Sequence, residues 1–118
     1  MLRVYPAPRY DATVSGTVID EAGNPVSHVE VQLFPAYLGG DMRWRRVAIT
    51  NTRGSYSFSK LREGAYVLAV NGFRAPDANN PYVTVFYPGT AREDEAERIK
   101  AYTAKPVRLD RLQVKRLP

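Results

Sequence analysis

Apolar residues recur at every second position along this chain, in short runs that each end at a cluster of Gly, Pro, Asn or Asp. A period of two puts alternate side chains on opposite faces of a strand, so such runs predict half-buried strands rather than helices. "TVSGTVID" sets Val14, Gly16 and Val18 on one face and Thr13, Ser15 and Thr17 on the other. "HVEVQLFP" repeats the pattern with Val29, Val31 and Leu33 inward, and Pro35 ends it. "RVAIT" is expected to turn Val47 and Ile49 inward, and "SYSFS" to do the same with Tyr56 and Phe58. "AYVLAV" is apolar on both sides, which predicts a central, covered strand. "YVTVFY" follows and stops at Pro88-Gly89; "IKAYTA" offers Ile99, Ala101 and Thr103 to one face. In the closing "VRLDRLQVKRL", Val107 and Leu109 are out of phase with Leu112 and Val114, a mismatch that a bulge near Asp110-Arg111 reconciles.

The connections carry turn chemistry in "DEAGNPV", "NTRG" and "KLREG", with longer loops at 36–45 and "NGFRAPDANNP". Only "TAREDEAER", near residues 90–98, reads as a short helix: Thr90 and Glu93 match a capping box, and the acids precede Arg98 and Lys100. The sum is about seven short strands at regular spacing, which predicts an all-β, seven-stranded Greek-key β-sandwich with that one helix. The 118 residues suit one domain, with residues 1–12 as an N-terminal arm and 13–118 as the sandwich.

Composition excludes several chemistries. The absence of Cys removes disulfides, thiolate nucleophiles and the usual structural zinc sites. His28 is the lone histidine, so a mechanism needing two imidazoles is ruled out. No apolar run is long enough to span a bilayer, and "MLRVYPAPRYDA" has no signal-peptide core; Met1 is compatible with a whole protein or an excised domain. The net charge of +5 could draw nucleic acid, anionic glycans or a membrane surface. The charges read as spread along the chain rather than gathered on one helix or ribbon, so no nucleic-acid partner is expected.

"GSYSF" at 54–58 and "LREGAY" at 61–66 combine several fixed spacings. Gly54 lies in a tight turn, and Tyr56 and Phe58 carry aromatic area into the core. Leu61, Gly64 and Tyr66 have the Leu-x-x-Gly-x-Tyr spacing of a tyrosine corner, where the chain arches between sheets and the hydroxyl bonds upstream backbone. Gly16, Val18, Asp20, Gly23, Pro25 and Val31, then Thr52, Gly54, Tyr56, Phe58, Leu61, Gly64, Tyr66 and Gly72, resemble the carboxypeptidase regulatory-like domain family over about residues 14–73. "VFYPGT" also resembles a segment common in bacterial members. The resemblance implies a prealbumin-like (transthyretin-like) sandwich that acts as an accessory beside catalytic domains. His28 departs from it, since the family usually has Gly there.

Four chemistries bear on function. A metallocarboxypeptidase needs more histidine ligands than one, and the fold relative that hydrolyses 5-hydroxyisourate uses several His and Arg and a Tyr-Arg-Gly-Ser end, where this chain ends "VKRLP". An internal isopeptide bond needs a first-strand Lys that "ATVSGTVID" lacks, although Asp110 could be a late partner. "DEAGN" and "PDANN" gather oxygen ligands but lack the acidic ladder of a calcium loop. Glycan binding could use Trp44 and Tyr37 with Arg43, Arg45 and Arg46, with Tyr82 and Tyr87 as weaker candidates; alternatively Trp44 plugs one end of the sandwich. The reading is a non-catalytic structural or accessory module, bacterial and extracytoplasmic, without cofactor or metal, that spaces or docks other domains or proteins. The alternative is a carbohydrate-binding or cell-envelope-binding module using the 36–46 loop, so the partners considered are a protein or a glycan.

Overall fold

A computed structural model describes residues 10–36, 45–102 and 105–118. Two sheets face each other. The first is built on β1 (Ala12–Ile19), paired antiparallel with β4 (Ser55–Leu61) and parallel with β8 (Val107–Arg108) and β9 (Leu112–Gln113). The second runs β3 (Arg46–Ile49), β2 (Glu30–Pro35), β5 (Gly64–Val70), with β6 (Val85–Phe86) and β7 (Ile99–Ala101) both on the far side of β5. The sequence pattern predicts seven strands, and nine segments are found among the described residues. The difference lies at two sheet positions, each shared by two short segments: β8 with β9 along β1, and β6 with β7 along β5.

The phase break in the closing stretch is visible here. Val14 pairs with Val107 but Val18 pairs with Leu112, so the C-terminal segment gains one residue between β8 and β9. That slip returns Leu112 and Val114 to the core. A second irregularity, between Ala12 and Val14 on β1, faces Lys60, whose φ is 54°. "YVTVFY" does not form one strand. Val83 N–H donates to Lys115 O at 2.8 Å beside the first sheet, and only Val85 and Phe86 join β5.

The core between the sheets takes Val14, Val18, Tyr56, Phe58 and Leu61 from one side and Val31, Leu33, Tyr66, Leu68 and Val70 from the other. Each fully buried Val or Leu contributes roughly 1.5–3 kcal/mol over leaving it in water. Tyr56 and Phe58 meet edge to face with centroids 6.0 Å apart. Gly16 is required opposite Tyr56, because a Cβ there would lie 2.8 Å from the ring's Cζ. At Gly54 (φ +71°) a Cβ would sit 2.5 Å from Val18 O, so the turn excludes a side chain. The tyrosine corner forms: Tyr66 Oη donates to Arg62 O at 2.5 Å.

The outer face of the second sheet holds a smaller core of Phe34, Val67, Ala69, Phe86 and Ala96, closed by Phe73 at 4.3 Å from Phe34. This explains why β5 is buried on both sides. Two expectations fail nearby. Val47 and Ile49 point outward, 43% and 57% exposed, because their partners across β2 are Gln32 and Glu30; Ala48, opposite Val31, faces the core. The 90–98 helix is only a 3-10 turn at Glu93–Glu95. The capping box is absent: Thr90 Oγ1 accepts from Arg92 N at 3.2 Å, and the chain is extended again at Ala96. Within 90–98 only Ala96 is buried, too little apolar area to hold further turns against the sandwich.

Candidate functional site

Of the residues predicted to bind a glycan, Trp44, Tyr37 and Arg43 lie outside the described residues. Arg45 is exposed just ahead of β3. Arg46 has a structural role: its guanidinium donates to Ser59 O at 3.0 Å and Lys60 O at 3.5 Å, tying the edge strand of one sheet to that of the other. Tyr87 is not available as a surface aromatic. It is 4% exposed, and its hydroxyl accepts from Asp110 N at 3.1 Å. Tyr82 is half-buried against the core.

The surface feature that stands out is the arch of β3 and β4, consecutive strands that form the edges of opposite sheets. Residues 45–62 contain Arg45, Arg46, Arg53, Lys60 and Arg62 and no acid. Of the chain's 17 Lys and Arg, the other 12 are balanced by the 12 Asp and Glu, all of which lie elsewhere. That balance is not local, however: residues 98–118, with seven Lys and Arg and one Asp, carry +6, so the positive charge lies on two stretches of the chain and the acids lie mostly between and before them. All five cationic residues of 45–62 are exposed, and Val47 and Ile49 are exposed in the same segment. The local fold follows from the sequence: Asn51 Oδ1 accepts from the N–H groups of Arg53 and Ser55, which closes the turn and leaves the Arg53 side chain outside. A cationic surface with low-dielectric apolar neighbours attracts anionic partners and speeds their encounter. Alternation and motif spacing do not single out Arg53, Lys60 and Arg62; the absence of any acid between residues 45 and 62 does.

Other polar groups are committed to architecture. Asp20 Oδ1 accepts from Ala22 N and Asn24 N, and Asp77 Oδ1 from Asn79 N and Asn80 N, so the "DEAGN" and "PDANN" carboxylates close Asx turns. Buried Asn71 and Asn80 pin the 71–84 loop to β2: Asn80 exchanges bonds with Glu30 backbone, and Asn71 Nδ2 donates to Asn80 O and Tyr82 O, both at 2.8 Å. His28 is exposed with φ 61°, taking the left-handed backbone for which the family favours Gly, and its N–H donates to Thr50 O. Burial raises the pKa of Tyr56 far above the ordinary phenol value, with a further push from Tyr87. Burial also raises Tyr87, against a hydrogen bond from Asp110 backbone that lowers it. Neither tyrosine adjoins a metal-holding cluster among the described residues.

Fold and surface together define an all-β sandwich whose polar residues serve turns and corners, with a cationic arch. The sequence profile of the carboxypeptidase regulatory-like domain matches residues 13–94, and the chain belongs to that family. No curated protein sequence matches the chain. Among solved structures it is similar to the minor pilin GBS52 of Streptococcus agalactiae, with 17% identity and a TM-score of 0.58 over 94% of this chain and 47% of that one. It is also similar to the Bacillus anthracis TIE protein, with 13% identity and a TM-score of 0.58 over 92% of this chain and 17% of that one. A DUF3823 family protein from Bacteroides ovatus shares 23% identity at a TM-score of 0.53, covering 88% of this chain and 44% of that one. The chain thus spans less than half the length of each of these three, and the likeness is one of fold. The family is described as regulatory-like, and one of these neighbours is a minor pilin. Among the described residues no helix is long and apolar enough to cross a membrane.

Proposed function

We propose that the chain is a non-catalytic accessory module of bacterial, extracytoplasmic proteins, which docks an acidic protein surface through the β3–β4 arch. The observation that carries this is the run of five exposed cations without an acid in residues 45–62, with exposed Val47 and Ile49 in the same segment. Exposed apolar residues near exposed cations suit a protein contact, and Glu30, opposite Ile49, is held in an ion pair by Arg74. The similar structures support a modular role, since each contains the fold as one part of a longer chain. Arg46 belongs to the scaffold of the arch, while the exposed guanidinium groups of Arg45, Arg53 and Arg62 can meet carboxylates. In the alternative reading, a carbohydrate- or cell-envelope-binding module, Trp44, Tyr37, Arg43, Arg45 and Arg46 are the proposed glycan contacts.

The test is a fluorescence anisotropy titration of labelled poly-L-glutamate with the full chain, and of poly-L-lysine as control. Saturable binding of the acidic polymer alone, weakening as salt rises, is the expected result. No binding, or equal binding of both polymers, would overturn the reading.

A further inference from the structure

The outer face of the first sheet is paved with hydroxyls. Ser15 and Thr17 on β1 point away from the core, because Val14 and Val18 on either side are buried. Ser57 faces Ser15 across the strand pair, and Ser55 faces Thr17. The four hydroxyls form two adjacent cross-strand pairs, with about 5 Å between members of a pair and about 7 Å along each strand. Arg108 pairs in register with Ser15 on the other side and, with Leu109, completes a groove of about 410 Å³. Among the described residues none of these four hydroxyls has a protein hydrogen-bond partner, and Arg108 has no ion pair. No acid lines the groove.

From this arrangement we infer a second binding site, which shares β4 with the arch but is lined by none of its cationic side chains, and which takes a uronate-bearing glycan. Each hydroxyl donates one hydrogen bond and accepts two, so it can meet sugar hydroxyls in either sense. Two rows of such groups suit the vicinal hydroxyls of a pyranose lying flat on the sheet. The planar donors of Arg108 suit a carboxylate, which they engage in two parallel bonds. The volume falls within the range of small-ligand sites. An extended peptide fits less well across its centre, since β1 is paired on both sides and offers no free backbone groups to a further strand.

The test is an amide-resolved NMR titration of the full chain with trigalacturonate, with neutral galactotriose and sulfated galactotriose as comparison arms. Trigalacturonate should shift Ser15, Thr17, Ser57 and Leu109. Arg108→Gln, on an exposed position, should keep the folded spectrum and weaken binding about tenfold, as loss of one charge-assisted pair implies. Ser57→Val, whose β-branched side chain suits an exposed strand, should weaken it severalfold. Shifts elsewhere, no binding, or unchanged affinity in Arg108→Gln would overturn the site. Equal binding of the neutral sugar, or preference for the sulfated one, would overturn the uronate assignment. Arg45→Gln/Arg53→Gln/Arg62→Gln removes charge from the arch without changing the groove lining and should leave this titration unchanged, so failure of the groove and failure of the arch are separable.

Discussion

Gly16→Ala tests the packing on which the first sheet depends. The new Cβ would lie 2.8 Å from Tyr56 Cζ and nearer still to its Oη, where carbon atoms prefer about 3.5–4.0 Å. The ring has little room to retreat, because Tyr56 is 3% exposed and Phe58 stands 6.0 Å away, edge to face. Overpacking of this kind costs about 1–3 kcal/mol. At about 4–8 °C per kcal/mol for a domain near this size, Gly16→Ala should lower Tm by about 10 °C. A double-mutant cycle sharpens the test. Tyr56→Phe deletes the nearest atom, and since Oη is buried without a hydrogen-bond partner among the described residues, that change alone should be neutral or stabilising. Urea unfolding of wild type, the two single variants and the double variant should then show Gly16→Ala costing about 1 kcal/mol less once Tyr56→Phe is also present. Additivity within about 0.5 kcal/mol would refute the claim that Gly16 exists to admit this ring.

Further outcomes follow from the same geometry. Tyr66→Phe should cost about 1 kcal/mol by removing the bond to Arg62 O, read as a lower urea midpoint at unchanged slope. His28→Gly should raise stability by about 1 kcal/mol, because a left-handed backbone at φ 61° strains any side chain; a lower midpoint would contradict that geometry. Burial raises both Tyr56 and Tyr87, so the native state holds protons that the unfolded chain releases near the ordinary phenol value of 10.0. Stability should be level below about pH 10 and fall above it by up to about 1.4 kcal/mol per pH unit for each tyrosine, and Tyr56→Phe should make that fall shallower.

Much of the fold is legible in the sequence because it is written in period two and in turn chemistry. Val14, Val18, Val31 and Leu33 alternate where the core requires it, and Leu61, Gly64 and Tyr66 encode a corner by spacing alone. The features that alternation misplaces depend on tertiary neighbours. "RVAIT" has the same alternation whichever way it faces; only its register against β2, with Val47 opposite Gln32, turns its apolar side outward. The burial of Gln32 and Phe34 arises because the loop near Gly72 and Phe73 folds back over β2, a long-range contact that no local pattern announces. The acidic stretch at 93–95 has helix-start chemistry, yet its cap hydroxyl bonds Arg92 N and the helix does not propagate. On the surface, the cationic arch is present in the sequence as a run of cations without an acid. The hydroxyl groove is not, since Ser15, Ser57 and Arg108 come together only when β1 pairs with β4 and β8.

The central claim is that charge on the β3–β4 arch makes the contact. Its most direct test is poly-L-glutamate binding by wild type and by Arg45→Gln/Arg53→Gln/Arg62→Gln across a salt series, with Tm followed in parallel. The account predicts equal melting temperatures, at least tenfold weaker binding by the variant, and a flatter dependence of its affinity on salt. A variant that melts like wild type and binds the acidic polymer as tightly, with the same salt dependence, would contradict it.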